Sequence, residues 1–434
     1  MPKMGFSTSF PTMLVLKDGN GDGTYGPYDS ANPTSGENRW FLAFGSGPAD
    51  VEGSPDRKLL TQVKSEQRGN FYLVDMVKLS LENELWSLTT DANGTSGVLT
   101  RGLHPYLTLS GADEGNSFIS NPTSVDFNLD YNTDVVYYGT VSGSAPGEIG
   151  TNGWGGKLRR IVVENKPDPK NWIADSILYN AGQPITVTPV TAIDSKKRNW
   201  IFFGTGRYLD ISDRVDISTQ SFYGIKEPLF ALPGGQIDPT KRTFAEVAST
   251  DLVNTTNYRV LGDANRTVLM DGTASTWQNL LDQQRRKGGW KIDFLDSTDP
   301  DGTGPKTVQR GERNISKAIL VGGALSFSTF IPAGDVCDAD GKSFFWARYF
   351  ETGTDYYKRI LSQRNILYGG KQTTENVSRI LIGSGGGYGV SGHVNPDGTV
   401  TATVGADSGS IKQLPPLKPP FQVKSGKYAW EVVE

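Results

Sequence analysis

The chain has 434 residues and a net charge of −4, with a pI near 5.5, a balance that excludes a protein built to hold nucleic acid through a basic face. A single cysteine, Cys337, excludes an internal disulfide, and His104 and His393, far apart and without neighbouring cysteine, give no pattern for zinc or for histidine-dependent nucleophilic catalysis. Plentiful glycine (52), 24 prolines and 10% aromatics fit many short strands joined by turns, and no apolar run is long enough to insert in a membrane.

The start, Met1 to Phe6, lacks the charged and apolar regions of a signal peptide. The expectation is a cytoplasmic protein or a piece of a longer secreted chain whose N-terminal region is absent. A short strand, Thr12 to Leu16, then leads into a twelve-residue stretch with calcium-loop spacing. Asp18, Asn20 and Asp22 hold positions one, three and five, with Gly23 at six. Thr24 at seven needs only its carbonyl, and Asp29 closes the loop at twelve. The alternative is a Gly/Asp hairpin tip between strands.

Two apolar strands follow, Arg39 to Gly45 and Asn70 to Met76, and then the stretch from Asp126 to Thr140. Its first half places Asp126, Asn128, Asp130, Asn132 and Asp134 at every second residue. In a tightly wound loop that spacing turns the oxygens inward, toward a hard cation. An Asx-rich turn is the alternative. Tyr131 stands at the sixth position, where such loops turn sharply and favour glycine; a left-handed tyrosine costs roughly 1–2 kcal/mol, so the loop either absorbs that cost through metal binding or turns differently. The second half, Val135 to Tyr138, reads as a buried strand stopping at a turn at Gly139.

An aromatic or aliphatic strand ending in glycine recurs at Phe44-Gly45, Tyr138-Gly139, Phe203-Gly204, Val321-Gly322 and Ile382-Gly383. The uneven gaps are each long enough for one or two four-stranded sheets. Degenerate blades of a β-propeller explain this better than a sandwich. The expected fold is an all-β modified propeller of about seven blades in a single domain, residues 1–434, with long inserted loops and one or two short helices. One helix is expected from Thr276 to Lys287, capped by Ser275 or Thr276, with Trp277, Leu280 and Leu281 on one face and Gly288-Gly289 ending it. Near the C-terminus, Gly392 to Val404 reads as a hairpin turning at Asn395-Pro-Asp-Gly398, and Leu414 to Pro420 as a stiff strap leading to a closing strand at Lys427 to Val433.

Several blocks resemble the C-terminal domain of the PilY family of type IV pilus tip-associated adhesins and biogenesis factors. They are Pro189 to Asp194, Trp200 to Asp210, Asp216 to Ile225, Gly289 to Phe294, Gly311 to Arg313, Gly323 to Pro332 and Asp335 to Gly341, in order between about Trp40 and Gly353. The resemblance implies a modified β-propeller, a calcium ion in one loop, and a role at the pilus tip in extension against retraction, surface attachment and twitching motility. It implies an extracellular location and minor pilins or the pilus tip complex as partners, with a host or abiotic surface ligand beyond them. Carried over by position, Asp126, Asn128, Asp130 and Asp134 would be side-chain ligands and Asn132 would offer its carbonyl. Tyr131 replaces the family's usual glycine, and Thr140 stands where an aspartate commonly follows. The loop from Asp18 to Asp29 does not map onto the family; if it binds too, there are two ions rather than one.

No catalytic residue or organic cofactor is expected. A quinoprotein-like propeller is the main enzymatic rival, and Trp346 to Gly353 faintly echoes its tryptophan-docking repeat, but only once. A glycan-processing propeller would need paired carboxylates, and Asp299, Asp301, Asp338 and Asp340 read better as turn formers. A purely structural cap binding minor pilins is the third reading.

Overall fold

A computed structural model describes residues 4, 9–16, 39–49, 63–90, 96–111, 114–129, 131–143, 153–163, 169–231, 237–297, 305–333, 341–406 and 411–422. The expected calcium loop from Asp18 to Asp29, the turn around Cys337 and the closing strand at Lys427 to Val433 lie outside the described residues, as does Asp130. The chain divides into two compact units, Met1–Gln220 with Ile225–Asp251, and Ser221–Gly224 with Leu252–Glu434.

The first unit opens with an antiparallel sheet in simple chain order: β1 (Thr12–Leu16), β2 (Arg39–Gly45), β3 (Asn70–Asp75), β4 (Trp86–Thr90) and β5 (Ser96–Arg101). A short strand, β6 (Leu107–Thr108), also pairs with β3. Every residue of β3 is buried, as expected for a strand covered on both faces. It runs directly into a helix that the pattern did not reveal, α1 (Met76–Glu82). Asp75 caps that helix, its Oδ1 accepting the N–H groups of Val77 and Lys78 at 3.0 Å each. At seven residues the helix is too short to show a 3.6-residue period, and its cap lies inside an apolar run.

A second sheet is built around one strand, β9 (Val135–Gly143). Two short strands, β7 (Ser117–Ile119) and β8 (Thr123–Val125), pair with it, and the remaining strands give the order β10 (Trp154–Gly155), β9, β11 (Lys157–Val162) and β12 (Ile173–Asn180). The expectation that this strand stops at Gly139 is corrected: it continues to Gly143. Gly139 is a point of close approach rather than a turn. A Cβ there would lie 2.3 Å from Ile185 Cγ2. The two sheets share a cluster of buried side chains that includes Phe41, Phe71, Tyr106, Tyr138, Ile161 and Trp172. Phe71 and Tyr138 meet ring to ring at 5.0 Å, and Phe41 and Tyr106 both contact Trp172 edge-on. Each such ring removes enough apolar surface from water to contribute roughly 1.5–3 kcal/mol.

The motif from Pro189 to Asp194 forms a hairpin corner of the first unit. The Asp194 carboxylate accepts the backbone N–H groups of Lys196 and Arg198, the Arg198 guanidinium and the Trp200 indole. Its neighbour block turns similarly: Arg207 is buried, pairs with Asp213 at 3.0 Å and lies 3.5 Å over the Trp154 ring.

The second unit holds a four-stranded antiparallel sheet in the order Ile319–Val321, Ala324–Ile331, Lys342–Tyr349 and Arg379–Ser384. The helix runs over Trp277–Arg285, with Thr276 Oγ1 accepting the N–H of Asn279 as its cap. Trp277 and Leu280 are buried as expected, and Gln284 joins them where Leu281 was expected. Trp290 is fully buried and gives its indole N–H to the Phe350 carbonyl. The expected hairpin pairs Gly387–Val394 with Val400–Ala406, with Gly398 at φ +80° in the turn. The proline strap lies along it: the N–H groups of Leu414 and Leu417 go to the Ala402 and Val400 carbonyls, and both leucines are buried.

Candidate functional site

The stretch from Asp126 to Asp134 is the loop of the β8–β9 hairpin, whose register pairs Val125 with Val135. The hairpin is closed by the Asp134 N–H on the Val125 carbonyl at 2.8 Å. Thr133 ties the loop to β1 through two bonds, its N–H to the Val15 carbonyl and its hydroxyl accepting from the Val15 N–H. Phe127 plugs the loop into the core, meeting the Tyr137 ring edge-on at 6.3 Å. An apolar residue between Asp126 and Asn128 therefore anchors the loop rather than interrupting it.

Within the loop, Asp126 accepts the Leu129 N–H on Oδ1 at 2.6 Å and the Tyr131 N–H on Oδ2 at 2.7 Å. Asp134, buried at the other end, accepts the Phe127 N–H on Oδ2 at 2.7 Å. Leu129 and Tyr131 both adopt left-handed backbone, at φ +62° and +69°. Of the two alternatives the spacing leaves open, the chain takes the left-handed sixth position, with a tyrosine in it. Both side chains are more than three-quarters exposed, so packing does little to offset a cost of roughly 1–2 kcal/mol at each residue. What holds the winding is the Asp126 carboxylate, through two charge-assisted bonds.

The donor set fits a hard cation. Carboxylate and amide oxygens are the atom types that a hard cation takes. Asn128 is exposed and Asn132 half-buried in the same loop. Of the expected ligands, Asp126, Asn128, Asn132 and Asp134 fall within one described loop, while Asp130 and all of Asp18, Asn20, Asp22, Thr24 and Asp29 lie outside the described residues. Among the described residues, no group of three or more His, Cys, Asp or Glu side chains is close enough to hold a metal. Tyr131→Gly should raise the stability of the metal-free protein by up to about 1 kcal/mol, the relief of strain less the added backbone freedom of glycine. Thermal unfolding in chelator checks this; a lower midpoint would show that the tyrosine side chain is needed.

Behind the loop, β9 is fixed by buried charge that the sequence reading missed. The Tyr137 hydroxyl donates to Glu227 Oε2 at 2.6 Å, and Arg160 pairs with the other oxygen of Glu227, both charged side chains fully buried. Next to it, the Tyr138 hydroxyl donates to Asp175, which also takes Arg159. Arg159 and Lys157 share Glu114 at 2.7 and 3.1 Å. Burial, followed by the Asp175 charge, holds the Tyr138 phenol well above its ordinary pKa. The available signal was Arg159-Arg160 between Leu158 and Ile161-Val162, since an arginine in a buried strand needs a carboxylate.

No family model matches the chain. In sequence it is 32% identical over 167 residues to the "Type IV pilus biogenesis factor PilY1 homolog" of Xylella fastidiosa (strain Temecula1 / ATCC 700964), a match covering 38% of this chain and 11% of that protein. In structure it matches the crystal structure of the Pseudomonas aeruginosa PilY1 C-terminal domain. The TM-score is 0.52 at 16% identity, over 96% of this chain and 73% of that one. The fold is therefore that of the PilY1 C-terminal β-propeller domain. A match to an exo-1,5-alpha-L-arabinanase from a bovine ruminal metagenomic library, with a TM-score of 0.26 at 11% identity over 81% of this chain and 90% of that one, carries no argument.

Proposed function

We propose that this chain, a relative of the PilY1 C-terminal domain in sequence and fold, serves type IV pilus biogenesis as a non-enzymatic module at the pilus tip. The observation that carries the reading is the 32% identity over 167 residues to a protein named as a pilus biogenesis factor. The module binds minor pilins or the tip complex outside the cell and supports pilus extension, attachment and twitching motility. Ile211, Val215 and Ile217, exposed aliphatic side chains in one short segment of the first unit, offer apolar surface for such a contact.

Within that role the β8–β9 loop binds one calcium ion through Asp126, Asn128, Asp130 and Asp134, with the Asn132 carbonyl. Support comes from the left-handed Tyr131 and the two carboxylates that bracket the winding. The ion would supply the positive charge around which the loop oxygens converge, and the hairpin would hold them in place. Calcium titration by calorimetry after chelator treatment tests the loop. Asp130→Asn should weaken binding by at least tenfold, and Asp22→Ala should remove a separate heat only where the N-terminal loop holds a second ion. No heat with the parent chain would sink the calcium reading. For the pilus role, a strain lacking the full-length protein should lose surface pili and regain them on complementation. Unchanged piliation would overturn it.

A further inference from the structure

The chain carries five Asn-x-Ser/Thr tripeptides in which x is not proline, beginning at Asn93, Asn254, Asn265, Asn314 and Asn376. Such a tripeptide is the acceptor for asparagine-linked glycans. The bacterial form of that transfer also favours an acidic residue two positions before the asparagine. Asp91, Asp263 and Glu312 stand there, before Asn93, Asn265 and Asn314. With 47 acidic residues in 434, chance would place an acid at that position before fewer than one of the five. We propose that Asn265 is a glycan acceptor, modified before the turn around it closes.

The structure separates the five. Asn314 and Asn376 are 1% and 4% exposed, and their amides donate to backbone carbonyls, so neither has room for a sugar. Asn254 is exposed, but Leu252 stands at its acidic position and its amide is tied to Asp293 at 3.0 Å. Asn93 lies outside the described residues. Asn265 has the acid, is exposed, and its amide has no hydrogen-bond partner among the described residues. It sits in the turn between the paired strands Arg259–Val260 and Thr267–Met270, flanked by exposed Ala264 and Arg266. The turn is closed by the Arg266 N–H on the Asp263 carbonyl at 3.2 Å, with Arg266 left-handed at φ +53°. The Arg266 guanidinium lies over the Tyr357 ring at 4.3 Å, and the asparagine beside it stays uncovered.

The two recognition groups of the acceptor are bonded to each other in the folded turn. Asp263 Oδ1 accepts the Thr267 N–H at 2.8 Å, and its Oδ2 accepts the Thr267 hydroxyl at 2.6 Å. A transferase that reads the carboxylate and the hydroxyl needs both released, and charge-assisted bonds oppose that. Modification therefore precedes closure, and the glycan then stands in solvent on a turn whose bonds do not use the Asn265 side chain. In the reaction Asn265 Nδ2 attacks the anomeric carbon of a polyprenyl-pyrophosphate-linked oligosaccharide. The N–C bond forms and the C–O bond to pyrophosphate breaks. The lipid pyrophosphate leaves with the electron pair, and one Nδ2 proton passes to a base on the transferase. From the function proposed above, the inference takes only that the chain leaves the cytoplasm.

The test is cell-free synthesis of the 434-residue chain with a purified bacterial oligosaccharyltransferase and its lipid-linked oligosaccharide, present from the start or added after folding. Mass spectrometry reads each acceptor peptide separately. With the enzyme present from the start, the Asn265 peptide should carry the glycan. Asp263→Asn should lower its occupancy at least tenfold, and Asp263→Glu should keep it. Enzyme added after folding should give at least tenfold less. An unmodified Asn265 peptide, unchanged occupancy in Asp263→Asn, or equal occupancy before and after folding would each overturn the proposal. The reaction needs neither export nor pili, so its failure is distinct from failure of the pilus role, which the piliation experiment reads.

Discussion

Replacing Glu227 with alanine lowers the stability of the chain by about 3–5 kcal/mol, because it strands Arg160 in the interior without a counter-charge. Arg160 and Glu227 are each fully buried. The arginine's other contacts, Nη2 to the Ala245 carbonyl at 3.0 Å and Nε to the Ser176 hydroxyl at 3.3 Å, are to neutral groups and cannot neutralise it. The Tyr137 hydroxyl loses its acceptor in the same change. Urea unfolding of the parent, Glu227→Ala, Arg160→Met and the double variant gives the coupling directly. The double variant should lose markedly less than the sum of the two single changes, since neither leaves the other's charge buried without a partner. Additive losses, or a single-variant loss under about 1 kcal/mol, would show that the pair is not what fixes β9.

That network also marks where the sequence stopped being legible. The hairpin at Asn395 to Gly398, the helix with its Thr276 cap and the strap along Val400–Ala406 were readable because each is set by local chemistry: turn residues, a cap and stiff prolines. The position of the candidate metal loop was readable for the same reason, because alternating oxygens dictate a local winding, whereas its left-handed sixth residue was one of two alternatives left open. The partners of Arg159 and Arg160 were not. Glu114 lies 45 residues from Arg159 and Glu227 lies 67 from Arg160, separations that only tertiary structure closes. Helix α1 failed differently, through brevity, and the strand end at Gly139 through reading a glycine as a turn when it serves packing.

The recurring strand–glycine phrase can be taken apart by one pair of substitutions. Gly139→Ala should cost about 1–3 kcal/mol, and Gly383→Ala should change stability by no more than about 0.5 kcal/mol. A Cβ at position 139 would lie 2.3 Å from Ile185 Cγ2 and 2.7 Å from the Ser120 hydroxyl, distances that force the backbone of β9 or its neighbours to move. At Gly383 a Cβ meets nothing within 4 Å. Gly45 belongs with Gly139, since its Cβ would lie 2.4 Å from Ile119. Ser120 cannot turn away freely, because its N–H and hydroxyl both donate to the Gly139 carbonyl, at 2.9 and 3.1 Å. Ile185→Ala on its own should cost about 2–5 kcal/mol. Combined with Gly139→Ala, it should cost at least 0.5 kcal/mol less than the sum, because the new methyl then occupies vacated space. Thermal and urea unfolding of the four variants decides the matter. A neutral Gly139→Ala would mean that the phrase reflects strand ends in general, as at Gly383. The predicted contrast would mean that glycine is required only where another element crosses the strand at van der Waals contact, as Ile185 does beside the hairpin that carries Asp126 and Asp134.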